Sequence, residues 1–455
     1  MVRRLPAAAL FVAIASLAVA GLEVGATPAR GPGGIMSSEL VVDGGRTPWG
    51  TSTGRRTLRP PRSREAEEEP EELAVARSLA EVEDLRPLWE ELQGPQLTSD
   101  IDFFQTYLRR APGAVRPHVL VVGENGSAPT IVAGRIEDAE TAVKLGYSTV
   151  FSARLRTLTV AYGGVLGPVD ERRAALVVDG LRRSLAPGDA DLVRLRMLEP
   201  GGALHTAAAT GVSRLRRERN GGPTVHWSTS VAGTLDEFLA ARKKKVRWQA
   251  RKDLATLAET YGEDLEVRVF RSPAELDELL RDSERVHRTT YQGALGVGLS
   301  TGEPQRSLAE LALERGWFRG YLLYLRGEPV AFWHGNAYRG VFGLGPTGFD
   351  PAYSSDRPGG YLLMRLVEDL CADGSVHTLD FGFGDAIYKR QLADTQRLEE
   401  DVAACAPTVK AVSVNVARTA LHTATGAAKA VLARSGGLAS LKRRWRGRLA
   451  GDNGG

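Results

Sequence analysis

Apolar and polar positions alternate with a period of two in several short runs, and fall at helical spacing between them. Runs 118–123 (HVLVVG) and 129–135 (PTIVAGR) predict two strands around a Gly-Ser turn. Run 155–162 (LRTLTVAY) predicts a third strand, ending at Gly163 and Gly164. Residues 171–185 have helical spacing, and 190–198 return to a strand. Region 73–230 therefore reads as a mixed α/β unit.

A long helix is predicted over 234–261. Thr234 and Glu237 fit a capping box, Gly262 ends the helix, and Phe238, Val246, Ala250, Leu254, Leu257 and Tyr261 form its buried stripe. A second unit follows: strand 265–270, helix 272–291, a short helix over 304–315, and strands 318–326, 329–337 and 340–345. Helix 358–373 places Leu362, Leu363, Leu366, Val367 and Leu370 on one face, and Gly374 stops it. Strand 376–381 and run 398–405 come next, then an Ala-rich helix over 414–432. The element order of the second unit is β-α-α-β-β-β-α-β-α-β. Both units place strands before and after a central helix, which suggests a distant duplication without a visible sequence repeat. The expected division is 1–72, an apolar segment and linker; 73–230, a degenerate first unit; 231–410, the main domain; and 411–455, a helix and basic tail.

Composition changes this picture only at the ends. The chain has 455 residues, 43% hydrophobic and 25% charged, with net charge +4, which is ordinary for a globular protein. Cys371 and Cys405 show no disulfide or metal-ligand spacing, so no metal is expected. Arg3 and Arg4 precede an apolar run over 5–22 that resembles a secretory signal or a single anchor, with Met36 as an alternative start. Residues 27–72, with GRRTLRPPRSR before EAEEEPEE, read as a disordered linker, and 441–448 (LKRRWRGR) as a basic tail.

Several motifs bear on chemistry. Asp380-Phe381-Gly382 is no kinase motif, since the upstream kinase elements are missing. Gly343-Leu-Gly-Pro-Thr-Gly348 matches GxGxxG literally, but Pro346 interrupts it and no helix follows directly. Arg357-Pro-Gly-Gly360 opens helix 358–373. Free N–H groups and the dipole at such a start suit a phosphate, and Arg357 adds donors. Arg242, Lys243, Lys244, Lys245, Arg247, Arg251 and Lys252 surround Trp248. They form either a solvated helix face or a surface for an acidic partner, such as a phosphorylated substrate, a membrane or RNA. His334 lies mid-strand beside Trp333, as a core residue or a base.

Across 231–395 the chain resembles the CelD-type acetyltransferase domain, a FemAB-like branch of the GNAT acyltransferase superfamily. The basic stretch FLAARKKKVRWQARKDL (238–254), GEPVA (327–331), FDPAY…RPGGYLLM (349–364) and LDFGFGDAIYKR (379–390) carry the resemblance. It implies a GNAT-like α/β fold, with two tandem units of mixed, largely antiparallel sheet. It implies acetyl-CoA or another acyl-CoA as donor, with its pyrophosphate at Arg357, Gly359, Gly360 and Tyr361. Leu362 departs from the small residue usual in the superfamily loop.

Gly382 and Gly384 would then kink the strand away from its neighbour and open a cleft, with Leu379 and Phe381 facing a core and Asp380 facing the other way. Asp385 would take the amine proton, with His334 as a further candidate, and Tyr388 would protonate the leaving thiolate. Lys389 and Arg390 would meet the acceptor, as would Lys245, Trp248 and Arg251. The expected enzyme is an N-acyltransferase acting on an amine, such as an amino sugar or envelope precursor. A FemAB-like aminoacyl-tRNA-dependent transferase stands as the alternative. So does a non-catalytic accessory protein of polysaccharide production, whose tail meets an anionic membrane. Cytosolic donors favour a cytoplasmic enzyme, with a start near Met36 or an N-terminal stretch that does not export the domain, and the basic tail offers a contact to an anionic membrane surface.

Overall fold

The computed structural model describes residues 72–434, except 124–127, 146–147, 186–188, 219–221, 295 and 297. The leader-like run, the linker and the basic tail lie outside the described residues. The first half holds β1 (Glu72–Ala76), α1 (Leu79–Asp84), α2 (Arg86–Leu92), α3 (Ile101–Arg110), β2 (Arg116–Gly123), β3 (Thr130–Leu145), β4 (Ser148–Leu166), α4 (Glu171–Arg183), β5 (Leu192–Leu198) and α5 (Ala203–Thr210). Then come β6 (Thr224–Ser230), α6 (Leu235–Ala240) and α7 (Lys244–Tyr261). The second half holds β7 (Leu265–Phe270), α8 (Leu276–Thr289), α9 (Tyr291–Ala294), α10 (Gln305–Glu314), β8 (Phe318–Leu325), β9 (Glu328–Tyr338), β10 (Val341–Phe349), α11 (Pro358–Ala372), β11 (Thr378–Phe383), α12 (Ile387–Leu392), β12 (Thr395–Cys405) and α13 (Val409–Arg434).

Among the described residues, twelve strands join one sheet in the order β1-β2-β3-β4-β5-β12-β6-β11-β10-β9-β8-β7. Two neighbouring pairs are parallel, β4 with β5 and β10 with β11. A parallel neighbour needs a crossover, and α4 and α11 supply one each. The two halves thus repeat one topology and then exchange strands. β6 follows the first half but pairs with β11, whereas β12 follows β11 but pairs with β5. The exchanged strands also pair with each other at the centre.

Helices cover both faces, so most strands are buried. On one face of β8–β11, α6, α7 and α11 build a core with Phe238, Leu257, Leu362, Leu366, Tyr321 and Leu379. On the other face α8 and α10 bury Leu279, Leu313, Phe332 and Phe270. In the first half α4 and α5 cover one face, and α1–α3 cover the other with Trp89, Ile101 and Phe104.

The helix expected over 234–261 is two helices, broken at 241–243. Its capping box and buried stripe form as read. At the break Arg242 turns inward over the Phe238 ring (4.2 Å) and donates to Thr229 Oγ1 at 2.5 Å. Gly335, on β9, is required by packing: a Cβ there would overlap the Phe342 ring and lie 2.9 Å from the Gly343 carbonyl. Gly335→Ala is expected to cost about 1–3 kcal/mol by overpacking, read as a lowered denaturant midpoint.

Candidate active site

β10 and β11 pair only from Val341–Thr378 to Gly343–Asp380, and then part. Each stays tied to its other neighbour, β10 to β9 as far as Phe349 and β11 to β6 as far as Phe383. The local sequence explains the parting. Pro346 offers no N–H to a ladder. Gly382 (φ 71°) and Gly384 (φ 85°) adopt the left-handed backbone that glycine tolerates best. The gap opens a cavity of about 640 Å³.

The cavity is lined from both sheet faces. On the α11 side stand Trp333, Phe381 and Tyr388, with Tyr388 ring centroids 5.8 Å from Trp333 and 6.1 Å from Phe381. The Trp333 indole donates to the Gly359 carbonyl at 3.3 Å, which links this wall to the start of α11. Burial pushes the Tyr388 phenol up to about 12, and its hydroxyl has no hydrogen-bond partner among the described residues.

Strand alternation sends Asp380 to the opposite side from Leu379 and Phe381. There it meets His226 of β6. His226 is 1% exposed and lies between two carboxylates, with Nε2 2.5 Å from Asp380 Oδ1 and Nδ1 2.8 Å from Glu399 Oε2. Asp380 Oδ1 also accepts the Gly382 N–H at 2.7 Å. Arg397 donates to Glu399 Oε1 at 2.7 Å and to the Tyr162 hydroxyl at 2.6 Å. Burial works against a charged His226, but the hydrogen bonds to Asp380 and Glu399 outweigh it and raise the imidazole pKa. For Glu399 burial acts upward, and the bonds from His226 and Arg397 prevail to lower its pKa.

Residues 241–390 match the family model of the acetyltransferase (GNAT) domain. The chain carries a GNAT acetyltransferase domain. Its fold is the GNAT-like α/β fold with a mixed sheet, and its class of activity is acyl transfer. No curated protein matches the chain in sequence. Among solved structures, FemX aligns at 9% identity over 71% of this chain and 96% of its own, with a TM-score of 0.49. A tandem GNAT protein from the clavulanic acid biosynthesis pathway aligns at 16% identity over 74% of this chain and 99% of its own, with a TM-score of 0.44. The C-terminal domain of a putative lysylphosphatidylglycerol synthetase from Agrobacterium fabrum aligns at 12% identity over 76% of this chain and 98% of its own, also at 0.44.

Within this GNAT domain the expected site residues fall in different places. Tyr388 and Lys389 line the cavity. The Lys389 ammonium is buried and donates to the Phe383 carbonyl at 2.7 Å, so it braces the strand end; burial lowers its pKa. Asp385 and Arg390 pair with each other at 2.8 Å and do not line the cavity. His334 points to the α8 face, where it bonds Ser283 Oγ at 2.8 Å and burial pushes it down to about 4. Strand alternation, which puts Trp333 on the α11 face, puts His334 on the other.

At the start of α11 the Arg357 guanidinium is held by Asp253 at 3.2 Å. The Gly360 and Tyr361 N–H groups donate to the Arg357 carbonyl at 3.0 and 3.2 Å, and the Tyr361 ring is buried in the core. Gly359 and Gly360 have open surroundings, where an added Cβ would make only ordinary contacts at 3.4 and 3.8 Å. Lys245 and Trp248 are exposed on α7, Arg251 pairs with Asp236 at 2.8 Å, and none of the three lines the cavity.

Sequence reasoning missed His226, Glu399, Arg397, Tyr162 and the wall role of Trp333. A signal for His226 existed: 224–230 (TVHWSTS) is a β-prone run with a histidine in alternation.

Among the described residues no helix is long and apolar enough to cross a membrane.

Proposed function

We propose that this protein is an N-acyltransferase that moves an acyl group, acetyl in the simplest case, from acyl-CoA to an amine. The observation that carries the reading is the parting of β10 from β11 into a cavity lined from both faces of the sheet. A strand that loses its neighbour leaves N–H and C=O groups unpaired along that edge. Such an edge can polarise a thioester carbonyl where donor and acceptor meet. The donor belongs on the side of Trp333, Phe381 and Tyr388, which leads to the start of α11. There the helix dipole, Arg357 and the open Gly359–Gly360 turn would receive the pyrophosphate. Asp253 competes for Arg357, so the phosphate would have to draw the guanidinium from that carboxylate.

In the transfer the amine nitrogen attacks the thioester carbon, the C–N bond forms and the C–S bond breaks. Tyr388 stays protonated at neutral pH and donates its proton to the leaving thiolate. The acceptor is assigned as the amine of an amino sugar or an envelope polysaccharide precursor, in keeping with the CelD-type pattern at 327–331 and 349–364.

Calorimetric titration with acetyl-CoA tests the donor. The wild type is expected to bind, and Gly360→Glu is expected to lose binding while unfolding at an unchanged temperature, because the added side chain has room but places a carboxylate at the helix start. A well-folded wild type that ignores acetyl-CoA would sink this reading. Salt-sensitive binding of tRNA in its place would favour the aminoacyl-tRNA alternative, with the Lys245–Trp248 face of α7 as the RNA surface.

A further inference from the structure

We propose that the acceptor amine enters from the Asp380 side of the sheet, that Asp380 receives its proton, and that His226, clamped by Glu399, is the positioning residue that holds that carboxylate. The assignment rests on the acyltransferase reading above and deepens it by supplying the base. Several observations support it.

The cavity wall on this side carries polar groups among apolar ones. Asp380, Asn336, Ser228 and Tyr162 line it, together with Thr98 and Phe103 from the first half. Asp380 is the carboxylate at the parting point, the last β11 residue in register with β10. One of its oxygens is fixed by His226 and the Gly382 N–H, which leaves Oδ2 without a partner among the described residues. His226 is held on its far nitrogen by Glu399, and Glu399 in turn by Arg397. The groups facing His226 come from every neighbouring element: Asp380 from β11, Glu399 and Arg397 from β12, Tyr162 from β4, and the Phe383 ring at 4.4 Å. Lys389, from α12, lies within electrostatic reach of Asp380.

The array is also divided by the strand exchange. His226, Arg397, Glu399 and Tyr162 all lie outside residues 241–390, the segment that matches the GNAT domain. The first half and the exchanged strands therefore complete the site and do more than cover it. As the C–N bond forms, the amine's proton passes to Asp380 Oδ2 and later to water, while the thiolate takes the Tyr388 proton, which water then replaces.

Hydroxylamine needs no acceptor recognition and serves as the probe, with acetyl-CoA as donor and acetyl-hydroxamate as the product measured from pH 5 to 9 on the full chain. Asp380→Asn is expected to lower kcat by about 10²–10⁴-fold, with calorimetric acetyl-CoA affinity retained. His226→Gln is expected to cause a smaller loss and to remove the change in rate on the alkaline side that accompanies loss of the His226 proton, which its two carboxylate partners hold more tightly than in free histidine. A purely structural histidine would lower the rate equally at every pH. Asp380→Asn with unchanged kcat overturns the proposal. So does a wild type that binds acetyl-CoA without accelerating hydroxamate formation. Absence of acetyl-CoA binding would instead sink the donor reading. The array then remains testable by histidine-labelled NMR of the full chain: one imidazole should stay protonated to higher pH than free histidine and lose that property in Asp380→Asn. No such resonance in the wild type overturns the array itself.

Discussion

Residues 241–390 expressed alone are expected to show no cooperative thermal transition and no acyl transfer, although they span the whole GNAT match. The fragment begins inside the break between α6 and α7. It therefore loses Val231, Phe238 and Leu239, all buried in the core under α11. Burying a large apolar side chain is worth about 1.5–3 kcal/mol. Three such losses approach the whole net stability of a domain, about 5–15 kcal/mol. β6 is lost as well. It pairs with β11 from Ser230–Thr378 to His226–Phe383, so β11 would become a bare edge open to aggregation. Circular dichroism on heating decides the matter. A fragment that melts cooperatively near the temperature of the full chain would show that the exchanged strands are dispensable to the fold.

Glu399→Ala is expected to destabilise the protein by about 3–5 kcal/mol, because it strips one carboxylate from a buried charged array and leaves His226 and Arg397 short of a partner. Glu399 is 5% exposed, so water cannot readily replace it. The loss should depend on pH, with opposite signs from the two partners. His226 has a raised pKa, so its contribution is complete below its ordinary 6.5 and is lost as pH rises through the folded value. Glu399 has a lowered pKa, so its contribution is present above its ordinary 4.5 and is lost as pH falls through the folded value. The difference between wild type and variant is therefore widest between those two ordinary values and narrows on either side. Urea unfolding at several pH values reads it. An equal difference at every pH would mean that only packing was lost.

Local patterns carried a good deal of this protein. Apolar spacing placed the second-half elements in their true order, and Thr234 with Glu237 forms the capping box. Alternation along 378–383 put Leu379 and Phe381 into the core and turned Asp380 away. Gly382 and Gly384 were readable as a kink, since positive φ is cheap only for glycine. These are properties of a residue and its near neighbours, and near neighbours are what a sequence records.

The site's partners were decided elsewhere. His226 bonds Glu399, 173 residues away, and Asp380, 154 residues away, because β6 and β12 cross into each other's halves. Asp253 of α7 pairs with Arg357, and Arg390 of α12 pairs with Asp385, and neither contact was stated from the local pattern. Periodicity tells which face of an element is apolar. It does not tell which element covers that face or which charges meet across it. Those depend on strand order, which only the closed sheet determines.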